Sequence, residues 1–211
     1  SSDLLSDLIG LPVPYLLKAN LRVDGGMFEQ QLLNDTDTTA GRLDSRFTGP
    51  SIDPLAKSRG YDPQSAALGP AYVAALNSYM HNDLKFGDGW VYRPSARVAP
   101  NFSWDYNRAP SRGQGGGSRT MALNVLPDLA RAMKFNSNLK ILLLGGYYDI
   151  ATPFYTAIYE LDHLPIQDSL RKNISYKMYP SGHMVYAHLP SLQKMHGDLA
   201  QFIESTSQAP R

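Results

Sequence analysis

The chain has no cysteine, which removes disulfides, thiolate nucleophiles and cysteine-ligated zinc together and leaves the redox compartment open. It lacks an excess of either charge. Twenty basic side chains stand against nineteen acidic ones, and no run of five like charges occurs, so the electrostatic footprint of a nucleic-acid binder is missing. Long apolar runs are absent too: stretches such as Ile141-Leu142-Leu143-Leu144 are only a few residues long, against the roughly 20 residues that cross a bilayer. A soluble chain without a membrane partner is the expectation. The opening residues Ser1-Ser2-Asp3-Leu4-Leu5 carry neither a basic n-region nor an apolar h-region, so no signal peptide is read there. Thirteen tyrosines and fifteen prolines in 211 residues argue against both disorder and a coiled coil, and the length allows one compact domain or two small ones.

The first 86 residues read as short helices broken by turns: 14–20, then 27–33 after the Asp24-Gly25-Gly26 turn, then a clearer helix over 70–86. That last helix opens on Pro70, carries a stripe of Tyr72, Val73, Leu76, Tyr79, Met80 and Leu84, and stops at Gly87. Residues 87–118 shift to Arg, Pro, Gly and Ser and end in a Gly-rich tract at 113–118, which reads as a loop. It lacks the Gly-Lys-Ser/Thr ending of a phosphate loop.

Beyond Thr120 helix and strand alternate: a helix at 127–135, a strand at 139–144, a helix beginning with Thr152 as cap and Pro153 at its first position, a strand at 174–179, and a final helix from Pro190. The last helix places Leu192, Met195, His196, Leu199, Phe202 and Ile203 on its apolar stripe. Two strands joined by a helical crossover of this length are expected to be parallel, with a right-handed crossover. The fold class is therefore α/β.

In an open α/β sheet reactive groups gather beyond the carboxyl ends of the strands. The first strand runs into Gly145-Gly146-Tyr147-Tyr148-Asp149-Ile150-Ala151-Thr152-Pro153 and the second into Tyr179-Pro180-Ser181-Gly182-His183-Met184. If the strands are neighbours, Asp149 can accept from one ring nitrogen of His183 and leave the other free, which is two thirds of a nucleophilic triad. The plain alternative is a turn aspartate and a satisfied loop histidine. Chain order favours the triad, since α/β-hydrolases run nucleophile, acid, histidine. No Gly-x-Ser-x-Gly elbow is present; the neighbourhoods of Ser51, Ser118 and Ser181 each fail the pattern.

Other candidates read as structural. His196 belongs to a packed helix stripe, His163 to a helix C-terminus, where a cation is favoured, and His188 follows His183 by five residues, off any shared helix face. No metal site and no cofactor are expected. The Gly145-Gly146 pair lacks the rest of a dinucleotide fingerprint. Arg22, Arg42 and Arg46 either reach a substrate carboxylate or, the favoured reading, pair with Asp24 and Asp44. Tyr147, Tyr148 and Met184 either wall a pocket or pack in the core.

The words just quoted around Asp149 and His183, with Tyr159-Glu160-Leu161-Asp162-His163-Leu164, Arg171-Lys172-Asn173-Ile174-Ser175, Ala19-Asn20-Leu21-Arg22-Val23-Asp24-Gly25-Gly26 and Gly41-Arg42-Leu43-Asp44-Ser45-Arg46-Phe47-Thr48-Gly49-Pro50, resemble the bacterial branch of the serine carboxypeptidase-like α/β-hydrolases. The resemblance covers most of the chain. It implies that Asp149 is the triad acid and His183 the triad base, and that the chain corresponds to the C-terminal part of such an enzyme. Residues 1–118 would be a mostly helical cap insertion with the Gly-rich loop, and 119–211 the last segment of the hydrolase sheet. It further implies a peptide substrate, a periplasmic or secreted location, and a nucleophilic serine on an N-terminal portion outside this chain. The strand at 139–144 would then expose an apolar edge that pairs with that portion or with another copy. An esterase or acyltransferase of the same fold, and a non-catalytic interaction module, are the competing readings.

Overall fold

The structure is a computed structural model that describes residues 1–90, 92–95, 102–103 and 124–207. The glycine-rich tract at 113–118 lies outside the described residues. The chain is mixed helix and strand and divides into two compact units. The first comprises Ser1–Gly69, Lys140–Tyr159 and Lys172–Arg211; the second comprises Pro70–Leu139 and Glu160–Arg171.

The first unit begins with three helices, α1 (Ser2–Ile9), α2 (Val13–Lys18) and α3 (Gly25–Gln31). The Ser1 hydroxyl accepts the Leu4 N–H to start α1, and Gly10 ends it in the left-handed conformation at φ 75°, a geometry glycine adopts without a Cβ penalty. Asp24, expected as an ion partner for Arg22, caps α3 instead, its carboxylate accepting the Met27 N–H at 2.9 Å; the two form no salt bridge among the described residues. A small antiparallel hairpin follows, β1 (Thr38–Ala40) against β2 (Thr48–Pro50), in the register Thr38 with Pro50 and Ala40 with Thr48. These strands are too short to show a period of two in the sequence. Glu29 of α3 is 1% exposed and bound to Arg59; burial pushes its carboxyl pKa up, against the pull of that guanidinium.

The helix expected at 70–86 begins seven residues earlier. α4 spans Pro63–Ser78 with Pro70 inside it, and continues as a π-helical turn over Tyr79–Asp83. A fuller start signature than Gly69-Pro70, an acceptor side chain followed by proline, stands at Asp62-Pro63: Asp62 Oδ1 accepts the Ser65 N–H at 2.7 Å, and Pro63 occupies the first position, where its missing N–H costs nothing. The anticipated stripe is not a core face, since Tyr72, Leu76 and Tyr79 are exposed. Among the described residues of the second unit the buried apolar side chains come from α5 (Leu126–Phe135), with Ala130 and Met133, and from the stretch holding Leu161, Leu164, Ile166 and Leu170. That stretch includes the short α7 (Asp168–Arg171), for which the sequence pattern offers no periodicity.

β3 (Ile141–Gly146) and β4 (Ile174–Tyr179) are parallel, paired from Ile141 with Ile174 through Gly146 with Tyr179, as the crossover length implies. β3 starts two residues later than expected and ends two later, because both glycines still pair. Among the described residues the sheet has these two strands alone, so the other edge of β3 is unpaired. α6 (Phe154–Asp162) follows β3, and α8 (Leu189–Ser207) closes the chain. On α8, Leu192, Met195, Leu199 and Phe202 are partly buried, whereas His196 and Ile203 are exposed. At 100° per residue both lie at the margin of the stripe; His196 is therefore not the packed core residue expected. No helix among the described residues is long and apolar enough to cross a membrane.

Tyr179, the last residue of β4, is fully buried and donates its hydroxyl to Asp198 Oδ2 on α8 at 3.0 Å, while Lys177 pairs with the same carboxylate at 3.0 Å. Burial, reinforced by the Asp198 carboxylate, pushes the Tyr179 phenol up to about 12. Its folded pKa exceeds its unfolded one, so this contribution to stability is complete below about pH 10 and is lost between about pH 10 and pH 12. Tyrosinate absorbance of the wild type minus Tyr179→Phe should titrate near 12. A midpoint at the ordinary tyrosine value would break the claim.

Candidate active site

The two parallel strands end side by side, and the chain beyond them stays hydrogen-bonded for two more residues: Tyr147 N–H donates to Tyr179 O at 3.0 Å and Tyr148 N–H to Ser181 O at 3.0 Å. This requires the backbones to touch. A Cβ on Gly146 would lie 2.2 Å from Ser181 O and 2.3 Å from Gly182 O, and one on Gly182 would lie 2.3 Å from Leu43 O. Glycine is the only residue that fits either place.

These loops bring Asp149 and His183 together. Asp149 Oδ2 is 2.9 Å from His183 Nδ1, within the range of a charge-assisted hydrogen bond. The Asp149 side chain is 6% exposed, whereas that of His183 is 45% exposed. Asp149 is satisfied on both oxygens, because Thr152 N–H donates to Oδ1 at 2.9 Å and the Thr152 hydroxyl to Oδ2 at 2.7 Å. Thr152, expected as a helix cap, spends its side chain here instead. Nε2 of His183 has no hydrogen-bond partner among the described residues, and His183 lines a cavity of about 310 Å³ whose walls include Gly146, Phe154, Met178 and Val185.

A third segment, which the sequence did not place against the dyad loops, holds both of them. The turn between β1 and β2 is pinned by Gly41 N–H to Phe47 O at 2.8 Å and Phe47 N–H to Asp44 O at 3.0 Å. From it, Arg42 O accepts Ile150 N–H at 3.0 Å and Ser45 N–H donates to Tyr148 O at 2.9 Å on the acid loop, while Leu43 O accepts His183 N–H at 2.6 Å. The side chains add to this. Arg46 grips the buried Asp44 with two bonds, Nε to Oδ1 at 2.9 Å and Nη2 to Oδ2 at 2.6 Å, sends Nη1 to Pro180 O at 2.8 Å, and lies 4.8 Å from the centre of the Tyr148 ring. Hydrogen bonding to Asp44 holds the Arg46 pKa above its usual value. Asp62 anchors the start of the turn, Oδ2 accepting from Arg42 N at 2.7 Å and Leu43 N at 3.0 Å. Burial raises the Asp62 carboxyl, but these N–H donors and that of Ser65 outweigh it and leave the pKa below the ordinary range.

The Asp44–Arg46 pair is thus the one anticipated; Arg42 contributes main-chain atoms to these contacts. Tyr147 and Tyr148 are exposed rather than core: Tyr147 meets Phe154 edge-on at 5.2 Å between ring centres, and Tyr148 carries Arg46. Met184 is partly buried. His188 Nδ1 sits 2.7 Å from the buried Ser191 hydroxyl at the start of α8, and His163 is exposed just beyond α6. No group of three or more His, Asp or Glu among the described residues could hold a metal ion. The chain matches no protein-family model, no curated protein and no solved structure.

Proposed function

We propose that this chain supplies the acid and the base of a serine-type acyl-transfer hydrolase, with the nucleophilic serine on a polypeptide portion outside it. The observation that carries the reading is the 2.9 Å contact between a buried carboxylate and a half-exposed imidazole at the ends of adjacent parallel strands. In that role Asp149 orients the ring and stabilises its cation. His183 takes the proton from the attacking hydroxyl through Nε2 and returns it to the leaving group. The resemblance to serine carboxypeptidase-like enzymes supplies the substrate class, a peptide bond next to a free C-terminus.

A fluorophosphonate probe tests the reading on the chain with and without the polypeptide encoded upstream of Ser1. Labelling should be absent from the chain alone, appear on the upstream portion when the two are together, and be lost in His183→Ala. Labelling that persists unchanged in His183→Ala would overturn the assignment.

The unpaired edge of β3, rich in Ile and Leu, favours strand pairing with that upstream portion or with a second copy. A clean dilute monomer by size exclusion with light scattering, unchanged when the upstream portion is added, would count against such pairing.

A further inference from the structure

We propose that the Thr152 hydroxyl is a positioning group that fixes the tautomer of His183, an inference that rests on the acid–base reading of Asp149 and His183. A threonine hydroxyl has one hydrogen and two lone pairs, and an ionised carboxylate can only accept. The 2.7 Å contact from Thr152 Oγ1 to Asp149 Oδ2 therefore commits that hydrogen to the carboxylate. The same oxygen is 3.2 Å from His183 Nδ1. With its hydrogen spent, it offers Nδ1 only lone pairs, as does Asp149 Oδ2 at 2.9 Å.

Nδ1 thus faces two acceptors at once and carries the ring proton, shared between them as a three-centre bond. The other neutral tautomer would set a bare nitrogen lone pair against two oxygens. Nε2 is left as the basic nitrogen of a ring that lines the cavity. Carboxylate alone gives part of this preference; the hydroxyl adds a second acceptor to it, because its bond to Asp149 Oδ2 keeps Oγ1 from donating to a bare Nδ1. Threonine suits the task because its branched side chain is stiff at χ1 and its own backbone N–H holds Asp149 Oδ1 at 2.9 Å. One residue thereby fixes both carboxylate oxygens and leaves Oγ1 beside the ring.

The test is ¹⁵N NMR of the His183 imidazole in the full 211-residue chain, at a pH where the ring is neutral. The wild type should show a protonated Nδ1 and an unprotonated Nε2. Thr152→Val keeps the shape and removes the hydroxyl, and should lower the ratio of Nδ1–H to Nε2–H tautomer by roughly threefold to tenfold, the range set by one net hydrogen bond. Thr152→Ser restores the hydroxyl and should restore the ratio, and unchanged His188 signals show that the variants keep the fold. An unchanged ratio in Thr152→Val, or a wild type that rests as the Nε2–H tautomer, overturns the proposal. The readout needs no turnover, so failure of the hydrolase reading appears separately, as absent fluorophosphonate labelling with the tautomer intact.

Discussion

Under the acid–base role proposed for Asp149 and His183, replacing Asp149 with asparagine should lower kcat about ten-thousandfold, the scale on which a triad fails when its histidine is held in the wrong tautomer. The amide is nearly isosteric with the carboxylate, so the loops need not move. Its oxygen can still accept the Thr152 N–H that now reaches Oδ1. That places the NH₂ group where Oδ2 stands, facing both Thr152 Oγ1 and His183 Nδ1. An NH₂ group only donates, so Nδ1 becomes the acceptor, the ring proton moves to Nε2, and the base is lost. Steady-state rates of Asp149→Asn against wild type, with matching circular dichroism, decide the matter. A kcat within tenfold of wild type would remove Asp149 from the mechanism.

Arg46→Met is expected to destabilise the fold by about 3 kcal/mol, at the lower end of what removing one partner of a buried ion pair costs. The loss arises from what stays behind. Asp44 is 1% exposed, and without the guanidinium its carboxylate keeps the Arg46 backbone N–H at 3.0 Å as its hydrogen-bond partner. The lower end applies because the Arg46 side chain is itself 34% exposed, so its removal admits some water. The pair Asp44→Leu with Arg46→Met should recover part of the loss, since it removes the stranded charge as well as its partner. Urea denaturation of the wild type and the two variants measures both effects; a double variant no better than the single would show that the bonds to Pro180 and Tyr148, rather than the stranded carboxylate, dominate.

Much of the sheet and the dyad was legible in the sequence because both rest on local signals. β4 alternates from Ile174 to Tyr179 and occurs over that span. The acid and the base were located by a topological rule, that strand ends collect reactive groups, which needs only chain order and approximate strand limits. Helix starts were less secure. Pro63 and Pro70 both suit a first helical position seven residues apart, and the acceptor carboxylate of Asp62 on Ser65 N–H, where Pro70 is preceded by Gly69, separates the true start from the interior proline. The turn that braces the site was illegible for a different reason. Leu43 meets His183 across 140 positions of sequence through main-chain atoms, and no periodicity or residue type announces such a contact. Thr152 was visible as a hydroxyl before a proline, a pattern shared by many helix caps, and its partner could not be named until Asp149 and His183 had positions.

The brace also determines where substitutions can accumulate. Leu43 and Ser45 serve the acid and histidine loops through a carbonyl oxygen and an amide hydrogen, groups that every amino acid except proline carries in full. Sequence drift at those two positions leaves the scaffold of the dyad untouched as long as the path of the polypeptide is kept. Neighbouring Gly41, whose added methyl would lie 2.5 Å from Asp44 O, has no such latitude, so tolerant and intolerant positions sit almost next to one another in a single short turn.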